Sequence, residues 1–380
     1  MPKSICHYFL FFCLGSSSYL CAISKHTIAF SMKLPKKIIV FRLSSIGDII
    51  LASPLLRVLR QAAGKDARID FVVRKEYAEL VKHNHHLSFV HEYDTATGFD
   101  GLQKLARELY DEHFDLAVDI HDSIRTKFLR TACRTKETVV VDKRKFERWL
   151  LVNLKRNAYD DNLSVAERYL ETVEKYGVKN DGKGLEIFIP DSILFDISGK
   201  MGKLKLNRFE KVIGICPGAK HFTKRWQREK FADVAVRAAE TLHAKILLFG
   251  GADEVNDCAV VAEEVSRKVS NDAVTNFAGQ FSLLETAAAM EFCDVVVTND
   301  SGLMHLAAAK QKKIVAIFGS TVREFGFFPY GTESIVIEKN DLDCRPCTHI
   351  GRKSCPKQHF QCMVGITVDE VFAAVAKFAV

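Results

Sequence analysis

Residues Asp294 to Ala309 read Asp-Val-Val-Val-Thr-Asn-Asp-Ser-Gly-Leu-Met-His-Leu-Ala-Ala-Ala, and no other stretch constrains the fold as tightly. The β-branched run Val295 to Val297 predicts a buried strand, and Leu303 to Ala309 predicts a helix. Between them, Thr298-Asn299-Asp300-Ser301-Gly302 forms a tight polar turn at the strand's carboxyl end. Asp300 or Ser301 suits an N-cap, and Gly302 admits a ligand close to the backbone. Such a turn leaves free N–H groups at a positive helix end, where an anion such as a diphosphate binds. His305, on the first helical turn, is within reach of the same anion. The competing reading of this stretch alone is an ordinary strand–turn–helix with a satisfied histidine.

The same rhythm runs through the chain. Strands are predicted at Lys37–Leu43, Ile69–Val73, Phe89–Glu92, Asp115–Ile120 and Thr138–Val141. Helices are predicted after Ser44-Ser45-Ile46-Gly47-Asp48 through about Ala63, from about Leu102 to His113 and from Ser123 to Cys133. In the first helix Arg57 and Arg60 are placed outside, and Pro54 is expected to disturb the ladder only slightly. Pro190 to Leu206 reads as the connection to a second alternation, with strands at Val212–Cys216, Ala244–Phe249, Val295–Val297 and Ile314–Phe318. Alternation of this kind argues for doubly wound parallel sheets. At 380 residues the chain fits two such domains, which bind ligands at the carboxyl ends of their strands and so across a cleft. The boundaries read as a leader over 1–31, an N-terminal domain over 32–195, a C-terminal domain over 196–365 and a final helix over 366–380. That helix is expected to cross back onto the first domain.

The leader resembles a signal-peptide h-region, but Gly15-Ser16-Ser17-Ser18 interrupts it and Met32 stands directly ahead of the first strand. Translation is therefore expected to start at Met32. The net charge of +7 is mild; it suits polyanionic small molecules or an anionic membrane surface and is too weak to argue for nucleic acid. Lys143 to Arg156 is basic and amphipathic, fit to lie on an anionic bilayer, to hold a phosphorylated acceptor or to pack on its own domain. The eleven cysteines are scattered, which points to a reducing, cytoplasmic setting. The exception is Cys344, Cys347, Cys355 and Cys362 in the segment 344–362, spaced for a tetrahedral zinc site, reduced thiols or redox chemistry.

Four features point to the cleft. Asp48, preceded by Gly47 at a strand–helix junction, is placed to accept a proton from a substrate hydroxyl, with burial raising its basicity toward neutral pH. Lys224 and Arg225 follow the first strand of the second half and could neutralise a diphosphate. Glu254 follows Gly250-Gly251, where an acid can hold ribose hydroxyls. The fourth feature is the turn at Asp300. A helix cap, surface charges and a first-turn acid are the respective alternatives for Asp48, Lys224–Arg225 and Glu254. No G-x-G-x-x-G and no G-x-x-x-x-G-K-[ST] occurs, which weighs against dehydrogenases and P-loop enzymes.

Three motifs in order, Arg42-Leu43-Ser44-Ser45-Ile46-Gly47-Asp48, Cys216-Pro217-Gly218-Ala219 with Lys224-Arg225-Trp226, and Thr298-Asn299-Asp300-Ser301-Gly302 with His305, resemble those of glycosyltransferase family 9, the ADP-heptose:lipopolysaccharide heptosyltransferases. The resemblance implies a GT-B fold, two Rossmann-like domains facing a cleft, with the acceptor on the N-terminal domain and the nucleotide sugar on the C-terminal one. It places the base on Asp48 and the phosphate lysine on Lys224. Ser45, Gly47, Arg225, Glu254, Asp300, Ser301, Gly302 and His305 become substrate or nucleotide contacts. It further implies inverting, metal-independent transfer from ADP-heptose to a lipid-linked saccharide at the inner membrane surface, with no cofactor and no nucleic-acid partner. A family member with another donor sugar, and a non-catalytic zinc-containing binding protein, are the alternatives.

Overall fold

The computed structural model describes residues 33–379, so the leader and the expected start at Met32 lie outside the described residues. Strands β1 (Lys37–Phe41), β2 (Arg68–Arg74), β3 (Phe89–Tyr93), β4 (Leu116–Asp119) and β5 (Glu137–Val140) form a parallel sheet in the order β3-β2-β1-β4-β5. A second parallel sheet, β11-β10-β9-β6-β7-β8, is built from β6 (Lys211–Cys216), β7 (Ala244–Leu248), β8 (Val274–Asn276), β9 (Val295–Asn299), β10 (Lys313–Phe318) and β11 (Ser334–Glu338). The helices of the first half are α1 (Ile46–Leu51), α2 (Ser53–Ala63), α3 (Glu79–Lys82), α4 (Gly98–Asp111), α5 (Ile124–Ala132), α6 (Lys145–Trp149, continued as a π-turn over Leu150–Leu154) and α7 (Val165–Glu171). Then come α8 (Asp191–Gly202), α9 (Arg228–Thr241), α10 (Val255–Lys268), α11 (Leu283–Met290), α12 (Gly302–Ala309), α13 (Gln361–Val364) and α14 (Val368–Ala379).

Strand side chains alternate between two apolar layers, as period-2 geometry requires. In β1, Ile38 and Val40 enter one cluster while Ile39 and Phe41 enter another; in β9, Val296 and its neighbours Val295 and Val297 divide the same way. The cluster that takes Ile38, Val40 and Val296 also holds Met304 and Phe318, so the inner layers of both sheets merge into one core beneath the cleft. Burial of that continuous layer fixes the two halves against each other.

Several local expectations are corrected. The helix after β1 breaks at Ala52, because Pro54 supplies no N–H to the preceding turn and instead starts α2. Arg57 is buried rather than outside, paired with Asp181 at 2.7 Å and Glu186 at 3.1 Å, and Arg60 donates to His86 O at 2.9 Å. A purely amphipathic reading puts arginine in water, and a distant acidic turn supplied partners it could not see. The stretch read as connection contains α8, and β8 and β11 went unread. The final helix does not cross to the first domain: Val371, Phe372, Val375 and Phe378 pack with Ile213, Val315 and Ile317 on the outer layer of the second sheet.

Candidate active site

Strand order reverses between β1 and β4 in one sheet and between β6 and β9 in the other. Crevices open at the carboxyl ends of strands at such reversals, and the loops there carry most of the residues singled out from sequence. After β1, Ser45 caps α1; its amide and hydroxyl donate to Asp48 Oδ2 at 3.2 and 2.7 Å. Asp48 Oδ1 pairs with Arg42 Nη2 at 2.5 Å and accepts from the Tyr169 hydroxyl at 3.3 Å. Arg42 is itself held by donating to Ile120 O at 2.7 Å. Burial pushes the Asp48 carboxyl up, but the Arg42 guanidinium and the two Ser45 donors outweigh it and hold the group below its ordinary value. The expected rise toward neutral pH is thus corrected, because a buried guanidinium accompanies the buried carboxylate.

After β9, the buried Asn299 donates to Pro217 O at 2.7 Å and accepts from Trp226 N at 3.0 Å, clamping this turn to the loop after β6. Asp300 Oδ2 accepts from Thr321 Oγ1 at 2.7 Å and pairs with Lys224 Nζ at 2.7 Å. Lys224 is therefore no surface charge; its side chain is 13% exposed and aimed at the cleft turn. Asp300 is occupied by these contacts, and Ser301 takes the N-cap position with its hydroxyl turned to Thr298 Oγ1 at 3.4 Å and no side-chain bond to the helix, leaving the first N–H groups of α12 for a ligand or water.

The two glycines mark the contact between the halves. A Cβ on Gly47 would lie 2.6 Å from His305 Cδ2, and one on Gly302 would lie 2.9 Å from Ile46 Cγ2. On its Cβ side, then, Gly302 makes room for Ile46 rather than for a ligand. His305 is buried, and that burial, with Lys224 adding to it against Asp300 and Asp48, pushes its imidazole down to about 4. The ring is neutral at pH 7, and its Nδ1 has no protein partner.

Two cavities meet at this carboxylate. One, of about 370 Å³, is lined by Ser45, Asp48, Lys220, Lys224, Ser301 and His305 among others. The other, of about 230 Å³, is lined by Arg42, Asp48, Lys143, Arg148, Arg168 and Tyr169 among others. Asp48, Phe327, His349 and Ile350 border both. Arg225 and Glu254 do not line either. Arg225 Nε donates to Ala219 O at 2.5 Å, and Glu254 accepts from Gly251 N at 2.9 Å while filling the space above Gly218, where a Cβ would meet it at 2.0 Å. Sequence reasoning missed Arg42, Tyr169, Asn299 and Thr321 as site-building residues. Arg42 and Asn299 sit inside the quoted motifs and were legible; Tyr169 and Thr321 come from distant segments with no local signal.

Cys344, Cys347, Cys355 and Cys362 are free thiols around a narrow space shared with His359, and Cys344 Sγ lies 3.8 Å from His359 Nε2. Among the described residues no group of three or more His, Cys, Asp or Glu is arranged to hold a metal ion. Burial, with the neighbouring thiols adding to it, pushes Cys362 up to about 11, as befits a packed thiol.

Residues 102–358 match the model of glycosyltransferase family 9 (heptosyltransferase). The chain belongs to glycosyltransferase family 9. It is an enzyme of the glycosyltransferase type, and the matched residues include Lys224 and the Asp300 turn. Lipooligosaccharide heptosyltransferase 2 of Campylobacter jejuni is 28% identical over 329 residues, covering 86% of this chain and 93% of its own. The crystal structure of a family 9 glycosyl transferase from Veillonella parvula shares the fold with a TM-score of 0.74 at 24% identity, covering 92% of this chain and 99% of that one. E. coli ADP-heptose lps heptosyltransferase II superposes with a TM-score of 0.69 at 21% identity, covering 90% and 98%. These two-domain neighbours fix the architecture of this family 9 enzyme as GT-B.

Proposed function

We propose that this family 9 enzyme transfers heptose from ADP-heptose to the saccharide of a lipid-linked lipopolysaccharide-core acceptor, with inversion and without a metal ion, at the cytoplasmic face of a membrane. The observation that carries the reading is the position of Asp48, the single carboxylate bordering both cavities. The relatives named as heptosyltransferases support the sugar, and the ADP moiety follows from the same resemblance.

In this reading the diphosphate lies at the uncapped start of α12, with Lys224 and Lys220 neutralising it. Neutral His305 packs against Gly47 and borders the same cavity. The acceptor saccharide occupies the smaller, cation-lined cavity, which suits an anionic sugar. Asp48 takes the proton of the acceptor hydroxyl as its oxygen attacks the anomeric carbon, and the C–O bond to the diphosphate breaks on the opposite face. ADP leaves with the bond's electron pair. Arg42 keeps Asp48 ionised and oriented. Arg225 and Glu254 support the loop around Gly218 on the nucleotide side.

Incubating the protein with ADP-heptose and lipid-linked acceptor in excess EDTA tests the proposal, with the anomeric configuration of the product read by NMR. Transfer with an inverted centre is expected. Retention, or a requirement for a divalent cation, refutes the mechanism.

A further inference from the structure

Of the basic, amphipathic segment 143–156, only Lys143 and Arg148 are absorbed by the site. The segment holds six Lys/Arg residues against one acid, Glu147. Leu151 packs inward, but the other large apolar side chains do so only in part. Phe146 and Trp149, three residues apart and so on one side of α6, are 66% and 52% exposed. Leu154, at the end of the π-turn, is 52% exposed. The segment is also held in place: Lys145 Nζ pairs with Asp122 Oδ2 at 2.7 Å and Lys143 Nζ donates to Asp122 O at 3.2 Å. These bonds set the start of α6 beside the start of α5, where Ile124 stands 90% exposed. At the far end Lys155 Nζ donates to Pro346 O at 2.5 Å.

Four large apolar side chains left half or more exposed are costly in water, and beside them Arg148, Lys155 and Arg156 make no ion pair among the described residues. Aromatic residues flanked by Lys and Arg are what an anionic bilayer interface takes, the rings at headgroup depth and the cations against lipid phosphates. No described helix is long and apolar enough to cross a membrane, so attachment there would be at the surface. The same segment supplies Lys143 and Arg148 to the smaller cavity. We infer that Phe146, Trp149, Leu154 and Ile124, with Arg156, form the face by which this enzyme docks on an anionic lipid bilayer, holding the acceptor cavity beside the lipid headgroups. This rests on the proposed lipid-linked acceptor for its purpose, though the surface itself can be tested without it.

The experiment is sedimentation of the full chain with vesicles of phosphatidylglycerol and phosphatidylcholine, against vesicles of phosphatidylcholine alone. The chain is expected to sediment with the anionic vesicles and to be released by salt. The F146S/W149S variant should lower the partition coefficient roughly tenfold or more, because the interfacial side chains are lost. Its KM for acceptor embedded in vesicles should rise in step, while kcat, KM for ADP-heptose and transfer to the same saccharide freed of its acyl chains stay as in the wild type. Wild-type sedimentation by the variant, or an equal loss of transfer to the deacylated saccharide, overturns the assignment. If the wild type transfers to neither acceptor, the proposed function falls, and the sedimentation result still decides the surface.

Discussion

Gly47→Ala probes the contact on which the site depends. The new methyl group would sit 2.6 Å from His305 Cδ2, about 0.8 Å inside ordinary van der Waals contact. The ring has little room to withdraw, since His305 is 3% exposed and α12 is anchored through Asn299 and Asp300. Overpacking of this sort costs about 1–3 kcal/mol. Because α1 carries Asp48 and α12 carries the proposed diphosphate site, relief by separating the two helices misplaces base and leaving group, and a shift near 1 Å costs on the order of 100-fold in rate. Gly199→Ala is the control: nothing lies within 4 Å of its Cβ position in α8, so it should be neutral or slightly stabilising. Urea unfolding and steady-state turnover give the two readouts. In the His305→Ala background the destabilisation by Gly47→Ala should vanish, a coupling of the whole effect. Wild-type turnover in Gly47→Ala, or an equal destabilisation with His305 present or absent, refutes the reasoning.

Asp48→Asn should lower kcat by about 10²–10⁴-fold and leave ADP affinity within about twofold, measured by calorimetry; unchanged turnover removes Asp48 as base. Arg42→Met deletes the cation that opposes burial, so the Asp48 carboxyl rises and the acid limb of the kcat/KM profile moves toward neutral pH. Lys224→Met removes the partner of a buried carboxylate and should lower both ADP affinity and stability; adding Asp300→Asn should restore the stability alone. His305 and His349 are held down to about 4 and His121 to about 3, chiefly by burial. The unfolded chain therefore binds more protons below about 6.5, so stability should fall as pH drops from there toward 4, seen in unfolding free energies across that window.

Much of this was legible because parallel strands announce themselves as short β-branched runs and their carboxyl-end loops as polar turns with glycine. The Asp300 turn, Lys224 and Asp48 were placed at the carboxyl ends of strands that way. What escaped was set by distance in sequence. Arg57 looked solvated because Asp181 and Glu186 are more than a hundred residues away. The Asp48 carboxyl was expected to rise because burial was visible as a tendency while its pairing with Arg42 was not. Gly302 looked like ligand clearance because Ile46 belongs to the other half. The β11 strand, half-buried along its length at the sheet edge, gave no clear alternation to read.

The central claim is that a nucleoside diphosphate binds at the start of α12, facing Asp48. It is tested most directly by measuring thermal stabilisation and calorimetric binding of ADP, UDP, GDP and CDP to the full chain in EDTA. A ligand at 100 times its dissociation constant stabilises the folded state by about 2.7 kcal/mol. The account predicts that ADP stabilises selectively, that Lys224→Met weakens the effect and that Asp48→Asn preserves it. A preference for another nucleotide would contradict the ADP donor, and no response to any of the four would contradict the site itself.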